Sequence, residues 1–149
     1  GYHPEGALIA GQSRKLGFNG PLFGADGIDN EDYIKIGGKA TENTYCTVPF
    51  LASSAGPAGQ KFAQQYKTAY GRDVDWMSAN AYDCLGILAQ VIATTGPDRK
   101  KIREGLAAIN SKANGYKGIT GLTFFDEKGD CAKPAFVKMV KGGKFVAAK

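Results

Sequence analysis

The stretch from Phe18 to Asn30, FNGPLFGADGIDN, constrains the chain more than any other. Pro21-Leu22-Phe23 is a short apolar run between glycines, long enough for a buried strand and too short for a helix. It ends at Gly24 and opens into Ala25-Asp26-Gly27-Ile28. Asp26 therefore stands where a carboxylate leaves the carboxyl end of a strand, the edge at which open α/β sheets bind ligands. A carboxylate there can face an ammonium group, in a charge-assisted hydrogen bond about twice as strong as a neutral one. The other reading is an Asx-turn, in which Asp26 only accepts bonds from its own backbone. The stretch alone favours the turn.

The flanking elements make this an α/β chain. Glu5 to Leu16 places small and apolar residues along one side, with Arg14 and Lys15 in the last turn and Gly17 as stop, so a helix precedes the strand. Its small residues (Gly6, Ala7, Ala10, Gly11) allow close approach to a sheet. Helix then strand is half of a βαβ unit, which calls for a further strand upstream. Asn30 can cap a short helix from Glu31 to about Ile36. Thr44 to Val48 is β-branched and aromatic and reads as a strand ended by Pro49.

The middle of the chain is helical. Leu51 to Gly59 is small and polar, a loop or crossing. Gln60 to Tyr70 places Phe62, Tyr66, Ala69 and Tyr70 on an apolar stripe. Trp76 to Thr95 forms the longest helix, capped by Asp75, and Asp98 caps the next, with Ile102, Leu106 and Ile109 at helical spacing. Asn110 to Lys117 connects to a strand over Ile119 to Phe125. A turn at Asp126 to Asp130, a strand from Ala135 to Val140 and a Gly142-Gly143 hairpin leading to Phe145-Val146 complete the chain.

Composition excludes several classes. The chain is 43% hydrophobic and 22% charged, a globular balance. Net charge is +5, with Lys133, Lys138, Lys141, Lys144 and Lys149 after the last acid, Asp130. No aromatic residues interleave them as a nucleic-acid platform needs, so they read as a solvated face and no nucleic-acid partner is expected. Asn80, Asp83 and Gln90 interrupt the long helix, which reads as buried and not membrane-spanning. Cys46, Cys84 and Cys131 are odd in number and widely spaced, which excludes a closed disulfide framework and leaves one bridge open. With a single histidine, His3, no zinc site is expected. Gly37-Gly38-Lys39 lacks phosphate-loop spacing. The acids at 126, 127 and 130 lack calcium-loop spacing. No G-x-S-x-G elbow surrounds Ser13, Ser53 or Ser54. No catalytic constellation, metal or cofactor is expected.

Three segments carry a family resemblance. Gly1-Tyr2-His3-Pro4-Glu5, Gly24-Ala25-Asp26-Gly27-Ile28 and Phe125-Asp126-Glu127-Lys128-Gly129-Asp130 occur in the order and separation found in the Leu/Ile/Val-binding type of periplasmic solute receptor. The helix with Ala81-Tyr82-Asp83 is also similar to that family. The resemblance covers essentially the whole chain, but only the carboxyl-terminal part of a typical member. It implies a partial type I periplasmic-binding-protein fold of two α/β lobes joined by a hinge. Residues 1–49 would belong to the second lobe, residues 50–115 would supply helices of the first, and residues 116–149 would return to the second with a hairpin.

The resemblance also implies a site. Tyr2 and Asp26 match positions that contact an amino-acid ligand, the tyrosine ring covering it and the acid pairing with its ammonium group. This turns the balance for Asp26 from turn residue to ligand contact. Many amino-acid-binding members carry Glu there, and Asp is one methylene shorter, so the ligand sits closer or a water bridges. The hydroxyl residues that hold the ligand carboxylate belong to the amino-terminal half of the family. The implied function is the solute-binding component of an ABC importer for branched-chain or related amino acids. Its partners would be the ligand and the permease, and its location periplasmic, or extracellular and membrane-anchored through an amino-terminal part. As a fragment, the chain is expected to expose apolar surface, and to associate with its own copies or be only marginally stable. The alternatives are an α/β enzyme with a small-molecule pocket near Asp26, or a signalling sensor domain of the same fold.

Overall fold

Small residues open the first unit, which comprises Gly1–Pro49 and Ala135–Lys149. The computed structural model describes all residues except 132 and 149, so Lys149 of the basic tail lies outside the described residues. Helix α1 (His3–Lys15) starts with Pro4 in its first turn and buries Ala7 and Ala10 completely. Absence of bulk on this side lets it lie close to α2 (Glu31–Gly37). The expected charge at the end of α1 has a task. The Arg14 guanidinium donates to the carbonyls of Ala40, Phe18, Gly20 and Glu42, at 2.6 to 3.3 Å. Backbone carbonyls that the irregular segments leave unpaired are thereby satisfied.

Strand β1 (Leu22–Gly24) is followed by a single 3-10 turn, Asp26–Ile28, and then by α2, capped by Asn30 as expected. Strand β2 (Thr44–Val48) runs parallel to β1, with Phe23 opposite Tyr45. The β1–α2–β2 segment is thus a βαβ unit. In this sheet β1 is an edge strand. Along β2, Thr44, Cys46 and Val48 are buried and Thr47 is exposed, the period of two that one covered face demands. Tyr33 of α2 closes that face. Its hydroxyl bonds Thr44 Oγ1 at 3.0 Å and its ring lies against Phe145.

The carboxyl-terminal segment completes this sheet. With the second unit's hairpin strands counted first, it supplies β5 (Phe136–Lys141), antiparallel to β2, and β6 (Lys144–Ala147), joined to β5 at Gly142-Gly143. The sheet order is β1-β2-β5-β6. Phe23, Tyr45, Met139 and Val146 form one row across all four strands. Phe23 is 77% exposed and stacks on Tyr45 at 5.5 Å.

The second unit is Phe50–Pro134. It contains α3 (Pro57–Tyr70), α4 (Trp76–Thr95) and α5 (Arg99–Ala107). The first of these begins three residues before the expected Gln60, because Pro57 fits the first helical turn, where no N–H is needed. Asp75 and Asp98 cap α4 and α5 by accepting from Ser78 and Lys101 backbone N–H groups. Ile87 and Val91 of α4 meet Ile109 in a core flanked by Ile102, Leu106, Tyr116 and Phe124.

The expected strand over Ile119 to Phe125 is instead a hairpin of β3 (Tyr116–Gly118) and β4 (Gly121–Thr123). The chain reverses at Ile119-Thr120, where Gly121 takes a φ of 100°. Apolar residues at 119, 122, 124 and 125 hide that turn from pattern reading. Among the described residues the hairpin strands pair only with each other, and they belong to the unit Phe50–Pro134. The second compact unit thus extends to Pro134, and the first resumes at Ala135.

Among the described residues the three cysteines are free. Cys46 is buried, and its thiol is pushed up to about 12, first by burial, then by the negative charge of Asp29, with Lys138 opposing and Asp26 adding. Cys84 and Cys131 are exposed. A thiol titration at pH 8 should therefore find two reactive groups in the native protein and a third only in denaturant. Three groups reacting at equal rates would show that Cys46 is not shielded.

Candidate functional site

The site lies where β1 releases the chain. Leu22 to Gly24 fixes the parallel strand, and the 3-10 turn that follows starts at Asp26. The turn is held by its own backbone, with Ile28 N–H donating to the Ala25 carbonyl and Asp29 N–H to the Asp26 carbonyl. Among the described residues, the Asp26 carboxylate takes part in no hydrogen bond or ion pair. An Asx-turn would need a backbone N–H on that carboxylate. The structure has the turn without the bond, so the Asp26 oxygens are free to meet something else.

Tyr2 is brought to the same place by the start of α1. It precedes the helix in extended conformation, and its carbonyl accepts from Gly6 N–H at 2.9 Å. The residue is 72% exposed. The Gly1-Tyr2 segment passes directly over Gly27. A β-carbon at position 27 would stand 2.8 Å from the Gly1 carbonyl oxygen and 3.4 Å from Tyr2 Cδ1. Glycine is thus required at 27 for Tyr2 to reach the residue next to Asp26. The Tyr2 segment thus meets the residue after Asp26 at a glycine to which reading from the sequence gave no role of its own.

Two further charged groups lie beneath. Lys138 Nζ donates to Asp29 Oδ1 at 2.6 Å, with the side chains 20% and 6% exposed. The same ammonium lies 5.2 Å from the centre of the Phe145 ring, within cation–π range. Lys138 was expected on a solvated lysine face. It is instead drawn inward, because its strand position lies opposite Cys46 on the covered side of the sheet. The site therefore carries two acids of different standing. Asp29 is buried and neutralised by Lys138, whereas Asp26 keeps an uncompensated charge. Nothing local in the sequence marks this pair, since its members are 109 residues apart.

Such a site can hold a cation. An ammonium group suits it best, because an exposed tyrosine ring beside a carboxylate offers an apolar wall and a polar tip together. Among the described residues no three His, Cys, Asp or Glu side chains are grouped to hold a metal ion.

The chain belongs to the periplasmic binding protein family, whose profile matches residues 1–144. Among curated relatives, it is 30% identical over 131 residues to the leucine-, isoleucine-, valine-, threonine- and alanine-binding protein of Pseudomonas aeruginosa, covering 87% of this chain and 34% of that one. Among solved structures, the leucine-binding protein of Thermotoga maritima superposes with a TM-score of 0.90 and 35% identity, over 100% of this chain and 42% of that one. The branched-chain amino acid binding protein of Streptococcus pneumoniae, solved in complex with isoleucine, gives a TM-score of 0.86 and 25% identity, over 99% and 41%. The chain thus spans about a third to two fifths of the length of these relatives. Its α/β architecture is that part of the type I periplasmic-binding-protein fold.

Removing one member of a buried ion pair leaves the other charged and unpaired, at a cost of about 3 to 5 kcal/mol. Lys138→Met should lower unfolding stability by about 3 kcal/mol or more in urea titration. Asp29→Leu combined with Lys138→Met should recover most of that loss. A neutral effect of the single substitution would show that Asp29 is not held in the interior.

Proposed function

We propose that this chain is part of the solute-binding component of an ABC importer for branched-chain or related amino acids, with Asp26 as the partner of the ligand ammonium group. The observation that carries the reading is the Asp26 carboxylate. It stands at the carboxyl end of a parallel strand, without a protein partner among the described residues, next to a glycine over which the Tyr2 segment passes. The names of the relatives supply the ligand class.

In this reading the two compact units are parts of two lobes. Residues 1–49 and 135–149 form the second-lobe part and residues 50–134 the first-lobe part. An amino acid bound at Asp26 is enclosed when the lobes close, and the closed form is what a permease recognises. Tyr2 covers the ligand with its ring. Lys138 removes the charge of Asp29, so a ligand meets one negative charge, which matches one ammonium group. The work is done by binding, and no bond is made or broken. The location is periplasmic, or extracellular at the membrane surface, as the family's name suggests. No described helix is long and apolar enough to cross a membrane.

The test is calorimetric titration of L-leucine into the full-length protein. A hydrogen bond to a charged group contributes about 1.5 to 3 kcal/mol, so Asp26→Asn should weaken binding by about tenfold or more. Asp26→Ala should weaken it further, and leucine should be recovered chemically unchanged. Equal affinities for the wild type and both variants would return Asp26 to a turn residue. Chemical conversion of the amino acid would replace the reading with an enzymatic one.

A further inference from the structure

The second unit holds a polar chain that the proposed binding site does not use. Asp83 sits on the inner side of α4 and is 3% exposed. Its Oδ1 accepts the Ile119 N–H at 2.8 Å, and its Oδ2 accepts the Thr120 N–H at 2.8 Å. The Thr120 hydroxyl also donates to Oδ2. The same hydroxyl oxygen accepts from the Lys133 ammonium at 2.5 Å. A β-carbon at Gly118 would collide with the Asp83 carboxylate, so the β3–β4 hairpin is shaped around this acid.

Each link in this chain is strong for a physical reason. A buried carboxylate needs donors, and three are supplied. The threonine hydroxyl gives its hydrogen to an anion and receives one from a cation, so both of its bonds are charge-assisted. Lys133 also stands at a particular place. It precedes Pro134, the last residue of the second unit, and Ala135 opens the segment belonging to the first. Proline locks its own φ, and its ring confines the residue before it to extended conformations. The chain therefore leaves the second unit from a stiff step whose side chain is tied, through Thr120 and Asp83, to that unit's longest helix.

We propose that Lys133 is a positioning residue for lobe closure, fixing through Thr120 and Asp83 the point about which the carboxyl-terminal crossing bends. This rests on the two-lobe binding reading above. With the tie intact, bending is confined to the chain beyond Pro134. With the tie cut, the pivot moves and the balance between open and closed forms changes, although no ligand contact in the first unit is touched. A ligand held by closure then leaves at a different rate.

The experiment measures L-leucine dissociation by stopped flow in the full-length protein, for the wild type, Lys133→Met, Lys133→Arg and Thr120→Val, with thermal melting alongside. Residues that modulate coupling without touching ligand typically act by a fewfold to tens of fold in rate or affinity, so Lys133→Met should change the dissociation rate by about fivefold. Its melting temperature should stay within about 2 °C of the wild type, as for a partly exposed substitution. Lys133→Arg, which can still donate to Thr120, should restore the wild-type rate. Thr120→Val should move the rate in the same direction as Lys133→Met. Leucine binding by the wild type with an unchanged rate in Lys133→Met would overturn the pivot assignment and leave the binding reading standing. A rate change that arginine fails to restore would also overturn it. A wild type that binds no amino acid would overturn both.

Discussion

The buried contact between Asp29 and Lys138 is the interaction on which the first unit depends. It joins a turn near the start of the chain to a strand near its end, across 109 residues. Loop closure on that scale costs entropy before any contact forms, and an ion pair with little access to water repays it only if its geometry is good. Here the bond is 2.6 Å long, and the ammonium also lies against the Phe145 ring. The consequence reaches the candidate site. Because Lys138 cancels one acid of the turn, the other is left as a single accessible charge at the sheet edge. The Cys46 thiol is raised first by its burial and then by Asp29, with Lys138 opposing and Asp26 adding a smaller push.

The second unit uses a buried carboxylate differently. Asp83 is the only charged residue of α4, and it faces inward, where it shapes a hairpin and not a ligand site. The outward stripe of the same helix, Met77, Leu85, Leu88 and Ile92, is apolar and exposed. The helix that reads as buried in the sequence therefore leaves one apolar side exposed. The two units thus each contain one buried acid held by a lysine. In the first the link is direct, and in the second it passes through a threonine hydroxyl.

Local signals in the sequence were sufficient wherever local chemistry decides the structure. Thr44 to Val48 and Trp76 to Thr95 are legible to the residue, because a β-branched run ended by proline and an Asp-capped apolar helix each state their own limits. The Gly142-Gly143 hairpin is equally plain. Failure came where a distant side chain sets the local conformation. Ile119 and Thr120 read as strand residues, yet they form a turn because Asp83 accepts their N–H groups from another element. Lys138 read as one of several solvated lysines, yet pairing with Cys46 across β2 and β5 turns it inward. For the candidate site, the strand-end pattern singled out Asp26 and the resemblance turned it from turn residue to ligand contact, whereas Tyr2 was reached through resemblance alone. That the Tyr2 segment meets the chain at Gly27 is visible only as a steric fact of the folded chain.

The most direct test of the account is a crystal structure of the full-length protein grown with L-leucine. The account predicts the ligand ammonium nitrogen about 2.8 Å from an Asp26 carboxylate oxygen, the distance of a charge-assisted bond, with the Tyr2 ring against the ligand and Lys138 still on Asp29. A leucine whose ammonium group is held elsewhere, with Asp26 facing only solvent, would contradict it.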